Sequence, residues 1–186
     1  MKKLILNKDR FVALKLFDWQ KDLDYTLKMH DQAGSTVYDD FDNKDNMTER
    51  IYNRLSSGRT LAYMVYANIK GNYKRCGIVY LTNIVSNLNA VLHPVMDREG
   101  YRQLLKHGIK RNAMKEASNM LIDEGFKELG LKRITGAFHE HNKSTIRFCE
   151  GLGFKKEGLL RNASLLNNKP VNSIILGLIK EDFNYG

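Results

Sequence analysis

Proline and cysteine are scarce in this chain, at two residues each. With only Pro94 and Pro170, and no Gly/Ser/Pro-rich linker, nothing marks a domain boundary, and residues 1–186 read as one domain. Cys76 and Cys149 show neither metal-ligand nor redox spacing, which excludes a disulfide framework and points to a reducing compartment. No run of 18 apolar residues exists, so no membrane-spanning helix is expected. The opening apolar run, Leu4-Ile5-Leu6, stops at Asn7 and is too short for a signal peptide. These absences together set a soluble, cytoplasmic protein as the expectation. No internal repeat is visible.

What is present is an ordinary globular balance with a basic excess. Of 186 residues, 42% are hydrophobic and 27% charged, and the formal net charge is +9. Such an excess is either a solvated surface or an attraction for nucleic acid, an anionic surface or a phosphorylated ligand. The charge is unevenly placed. Lys106, His107, Lys110, Arg111 and Lys115 cluster, whereas Asp39, Asp40, Asp42 and Asp45 form an acidic run.

Periodicity divides the chain into alternating elements. Arg10–Phe17 and Thr60–Asn68 read as strands, and Cys76–Ile84 pairs with the latter across a Gly71-Asn72 turn. Asp18–Gln32 reads as an amphipathic helix with Trp19, Leu23, Leu27 and His30 on one face. Asn46–Glu49 resembles a capping box opening a helix over Met47–Leu55. Asn89–Met96 is a further strand broken or bulged at Pro94, and residues 97–110 are irregular or briefly helical. Ala113–Leu129 carries a 3.6-residue apolar stripe stopped by Gly130. Then come a strand over Lys132–Phe138, a helix over Lys143–Leu152, and strands over Phe154–Ser164 and Ser173–Ile179. Late strand–helix alternation with hairpins in the middle predicts a mixed α/β sheet with helices on both faces.

Three stretches carry a family resemblance. Residues 128–161 place Asn142, Thr145, Gly153-Phe154, Glu157-Gly158 and Arg161 in sequence behind a strand. Residues 109–126 begin a helix with Ile109-Lys110-Arg111-Asn112-Ala113-Met114, and residues 89–97 form a strand ending Val95-Met96-Asp97. In these features and in element order the chain resembles the GNAT superfamily of acetyl-CoA-dependent N-acetyltransferases. The branch it looks most like contains the ribosomal-protein serine/alanine and spermidine acetyltransferases.

The resemblance implies a mostly antiparallel GNAT-like sheet and acetyl-CoA as co-substrate. It implies that Asn142 and Thr145 hold the pantetheine or phosphate part of CoA, and that Val95 and Met96 pair with the pantetheine through main-chain groups. The turn Lys110, Arg111, Asn112, Ala113 and Met114 would hold the pyrophosphate at a helix N-terminus. That turn departs from the family's glycine pattern, with Asn112 at the key glycine. Asparagine tolerates left-handed backbone, and Lys110 and Arg111 add charge. As an alternative to a cofactor contact, Asn142 reads as a plain N-cap.

Transfer of an acetyl group needs a base at the amine and benefits from an acid at the sulfur. The family often keeps a tyrosine seven residues after the asparagine as that acid; here the position is Cys149, a weak donor or a small buried hydrophobe. Glu140, His139 and His93 are the candidate bases. The polar loop with Tyr38, Asp39, Asp40 and Asp42 falls where the family builds its acceptor wall, and its charge suits a cationic amine. It lacks the glycine and glutamate of a calcium-binding loop, and no metal is expected. The acceptor class is a protein N-terminus, a lysine or a small polyamine. The competing reading is a catalytically weak GNAT fold serving as a protein- or nucleic-acid-binding module. A homodimer is a further expectation from the family.

Overall fold

The computed structural model describes residues 11–33, 44–109, 112–166 and 169–184. Seven strands form one sheet: β1 (Val12–Leu16), β2 (Leu61–Ile69), β3 (Asn72–Val85), β4 (Asn89–Met96), β5 (Arg133–His139), β6 (Lys155–Leu166) and β7 (Lys169–Ile179). Five helices accompany them: α1 (Trp19–Ala33), α2 (Lys44–Ser56), α3 (Arg98–Lys106), α4 (Ala113–Lys127) and α5 (Lys143–Glu150). The sheet order is β1-β2-β3-β4-β5-β7-β6, and every pairing is antiparallel except β4 with β5.

Strand alternation divides the core in two. Val79, Leu81, Ala90, Leu92 and Ile134 join α4 residues Ala117, Leu121, Ile122 and Phe126 on one face, together with Ile146 and Cys149 of α5. On the other face Met64, Ile78, Tyr80 and Val95 pack with Met29 of α1 and Ile51 and Leu55 of α2. Helices thus cover both faces, as the periodicity predicts.

The helix boundaries differ from the sequence reading at informative places. Residues 98–106 form a regular helix although few of its residues are apolar, because both ends are capped. Asp97 accepts from the Glu99 N–H. At the other end Gly108 takes φ +72, its N–H donates to Leu105 O, and Ile109 N–H donates to Leu104 O. This is a Schellman closure, with Ile109 packed against the core beside buried Leu104. Gly100 lets α3 lie flat on β3, since a Cβ there would meet Arg75 O at 2.5 Å. Helix α2 begins at Lys44, upstream of the expected cap at Asn46.

Helix α1 buries part of its predicted face, with His30 fully buried and Leu27 packed at the core. Its fully buried residues are Asp22, Thr26 and His30, with Met29 beside them, while Trp19 is among the exposed large hydrophobics. The reason is a buried charge. Asp22 meets the Arg75 guanidinium at 2.9 Å and the Lys15 ammonium at 3.6 Å. Arg75 in turn donates to Tyr66 Oη and lies over the rings of Tyr25 and Tyr66. Removing one partner of a buried pair leaves the other uncompensated. Asp22→Ala is therefore expected to lower stability by about 3–5 kcal/mol in urea unfolding, well beyond a surface change.

Candidate active site

The site arises where two neighbouring strands part. β4 and β5 pair over only three positions, Asn89↔Arg133, Ala90↔Ile134 and Val91↔Thr135. Beyond them β4 follows β3 as far as Gly77↔Met96, and β5 follows β7 as far as His139↔Ser173. Each strand is held by its outer neighbour, so the gap between them stays open. Pro94 sits on the parting edge and brings no N–H that would need a partner there.

A cavity of about 560 Å³ fills this opening. β4 supplies Pro94, Val95 and Met96, and α3 supplies Arg98 and Tyr101. The start of α4 adds Asn112 and Met114, and the start of α5 adds His141 to Thr145, with Phe148 one turn on. The N-termini of two helices therefore face one space. Free N–H groups and helix dipoles at such ends favour an anion, and Arg98 and Lys143 add positive charge. Val95, Met96, Met114 and Phe148 give the same space apolar walls. A ligand that is anionic at one end and a slender, amide-bearing chain at the other fits this donor set and lining.

Of the residues expected to hold the cofactor, Val95, Met96, Asn112, Met114, Asn142 and Thr145 come together on this cavity. Ala113 lies beside them but is turned into the core, 1% exposed. Lys110 and Arg111 fall outside the described residues. Asn112 does not adopt the left-handed backbone expected of it. Its φ is −88, and its side chain caps α4 by accepting from Lys115 N–H at 3.0 Å. The left-handed residue nearby is Gly108, four positions earlier, and it closes α3. Asn142 also caps: its Oδ1 accepts from Thr145 N–H at 3.3 Å and from Ser144 Oγ at 3.1 Å. The capping reading and the cavity-lining reading thus hold for the same residue.

The candidate catalytic residues spread around the cavity rather than lining it. Cys149 is 1% exposed within the core, and burial pushes its thiol up to about 12. Phe148 takes the cavity side of that turn. His93 points to the face covered by α1 and α2. Its ring stacks on Tyr80 with centroids 4.8 Å apart, and its Nε2 lies 2.9 Å from Thr82 Oγ1. His139 is buried at the end of β5, with its ring centroid 5.2 Å from that of His141. Glu140 is tied to β7, accepting from Asn172 Nδ2 and donating its own N–H to Asn172 O. His141, which lines the cavity, was missed in the sequence because it lies past the strand whose alternation guided the choice. Its signal was its place next to the Asn142 cap. Tyr38, Asp39, Asp40 and Asp42 lie outside the described residues.

No family model matches the chain. An uncharacterized N-acetyltransferase of Bacillus licheniformis is 30% identical over 94 residues, 48% of this chain and 53% of that protein. A second, from Bacillus subtilis, is 28% identical over 81 residues. The chain spans about half the length of these curated relatives in the matched regions. Solved structures match over nearly the whole chain. The likeness, at 15–17% sequence identity, is one of fold. The spermidine N-acetyltransferase of Vibrio cholerae, solved with CoA and spermine, superposes with TM-score 0.72 at 15% identity, covering 92% of this chain and 97% of that one. A probable GNAT-family acetyltransferase from Chromobacterium violaceum gives 0.72 at 17% identity, covering 98% and 88%.

The buried histidines give this face a pH dependence. Desolvation, then repulsion from Arg54, pushes His30 down to about 3. His93 falls to about 3 for the same reasons, with His30 adding to it. Both rings are neutral in the folded chain while the unfolded chain binds protons from about pH 6.5 downward. Stability is then full above pH 6.5 and is lost as pH falls toward 3, by about 1.4 kcal/mol per unit for each ring. Denaturant midpoints measured from pH 7 to 4 should show this loss, and His30→Gln with His93→Gln should flatten it.

Proposed function

We propose that this chain is an acetyl-CoA-dependent N-acetyltransferase. The observation that carries the reading is the parting of β4 from β5 beneath the α4 and α5 N-termini. The main-chain groups of Met96 on the free side of β4 receive the amide-bearing pantetheine arm as an added strand would, while Val95, whose main chain faces β3, adds its side chain to the cavity wall. The helix N-termini, with Lys110 and Arg111 from the preceding turn, take the pyrophosphate. The curated relatives, named as N-acetyltransferases, support the chemistry.

The acceptor enters from the face that carries His139. Its nitrogen, once deprotonated, attacks the thioester carbonyl; the C–N bond forms, the C–S bond breaks, and the thiolate leaves and takes up a proton. We assign removal of the amine proton to the His139–His141 pair, whose ring centroids lie 5.2 Å apart and of which His141 lines the cavity. Glu140, braced by Asn172, positions this end of β5. His93 is held in the α1/α2 face as a neutral, packed ring and supports β4 rather than the amine. Cys149 fills core volume, and the thiolate departs without its help. The acidic run Asp39, Asp40 and Asp42, with Tyr38, supplies the counter-charge for a cationic acceptor of the polyamine, lysine or protein N-terminus class. A binding module without turnover draws support from the +9 charge and from the core position of Cys149. Acetyl-CoA binding with turnover separates the two readings.

Calorimetry with acetyl-CoA is expected to show saturable binding; no heat at millimolar concentration rejects the proposal. Asn142→Asp keeps the α5 cap but sets a carboxylate against the cofactor, so affinity should fall about tenfold with thermal stability unchanged. His139→Ala and His141→Ala should each lower kcat about 100-fold or more while leaving acetyl-CoA affinity intact. Cys149→Ala should cost about 1 kcal/mol of stability and leave kcat as it was.

A further inference from the structure

A second cavity, about 540 Å³, lies on the far side of α3 between that helix and the β2–β3 hairpin. It shares α3 with the first: Arg98 and Tyr101 face one space, and Gly100, Gln103 and His107 face the other. Nothing in the proposed transfer reaction uses it.

Its charge is unbalanced. Asp97 and Glu99 line it, and so does Arg75. Asp97 already accepts from Tyr25 Oη at 2.6 Å and from Glu99 N–H at 3.0 Å. Glu99 accepts from Gln103 Nε2 and lies near Arg102. Arg75 and Lys15 are matched to Asp22. Setting Arg75, Lys15 and Arg102 against Asp22, Asp97 and Glu99 cancels this group. Lys70 and Lys74 remain, and neither enters an ion pair among the described residues. Amide donors from Asn72 and Gln103 and the His107 imidazole stand around the same space.

The hairpin adds an independent sign. Ile69 pairs with Asn72, so Lys70-Gly71 is a two-residue loop. Both residues are left-handed, at φ +51 and +88, the type I′ geometry that favours Asn-Gly. Among the described residues three other non-glycine positions have positive φ, Asn83, Asn87 and Asn162, and all three are asparagine. Lysine alone takes this conformation against its steric preference. Strain kept at a cavity mouth is a mark of a functional demand on that side chain.

We infer that this cavity binds a phosphate monoester dianion, with Lys70 and Lys74 as its counter-charges and Asn72, Gln103 and His107 as hydrogen-bonding groups. Two uncompensated ammonium groups match the dianion's charge, and the amides and imidazole suit its several oxygens. The phosphate belongs either to a separate phosphorylated metabolite or to the 3′-phosphate of CoA reaching past α3.

The test is a titration of inorganic phosphate at constant ionic strength, followed by amide chemical shifts. Saturable shifts are expected at Gly71, Asn72 and Gln103, distinct from any at Asn112 and Thr145 in the first cavity. Lys70→Asn and Lys74→Gln should each weaken that phase at least tenfold, while Lys156→Gln, the same charge change on β6, should not. Lys70→Asn should also raise the thermal midpoint, because asparagine relieves the turn. CoA and 3′-dephospho-CoA then distinguish the sources. A preference for CoA that Lys70→Asn abolishes names the cofactor's own phosphate, and equal affinities with the phosphate phase intact name a separate ligand. Linear shifts at the hairpin, unchanged affinity in both lysine variants, or a lowered midpoint in Lys70→Asn overturns the inference. Loss of acetyl-CoA binding alone leaves the phosphate phase standing, so the two proposals fail separately.

Discussion

Three residue pairs between β4 and β5 decide the character of this molecule. Had the strands stayed paired, the sheet would close and the space beneath the two helices would vanish. They part because each has a longer ladder on its other side: β4 with β3, and β5 with β7. The opening is therefore built into the sheet's connectivity and needs no flexible loop. Its polar main chain is left free on one side, a situation that costs free energy unless water or a ligand satisfies it. That cost is the physical reason to expect a ligand with amides of its own.

The helices are arranged to serve the gap from both faces. On one, α4 and α5 bring their N-termini to it while their bodies fill the larger core. Gly77 is part of this fit, since a Cβ there would meet Val95 O at 2.5 Å and Met114 Sδ at 2.6 Å. On the other face α1 is fixed by the charge pair of Asp22 with Arg75, and α1 and α2 bury His30, Tyr80 and His93. Arg133 reaches Glu157 across Gly177, tying β5 to the edge strand β6 over the intervening β7. The charge pairs thus tie strands and helices together on either side of the opening.

Much of this was legible in the sequence. Helix α4 and strands β2 and β5 have clean periodicity, and their extents match the reading to within a few residues. Several residues that the resemblance marks for the cofactor gather on one cavity, and two of them, Asn112 and Asn142, are helix caps, the role their helix-start positions suggest. Helix α3 was obscured because its stability comes from Asp97 and Gly108 at its ends rather than from an apolar stripe. The face of α1 was legible in part, at Leu27 and His30, but an apolar pattern cannot reveal Asp22, whose burial depends on Arg75 fifty-three positions away. His93 looked like an accessible base since alternation alone does not show which sheet face a helix covers.

The central claim is that the free side of β4 is a binding edge. Amide hydrogen exchange at Met96, with and without acetyl-CoA, measures it most directly. Saturating cofactor is expected to slow exchange at this amide and at Thr145, while amides in the β6–β7 hairpin keep their rates. Exchange at β4 that stays unchanged under saturating acetyl-CoA would contradict it.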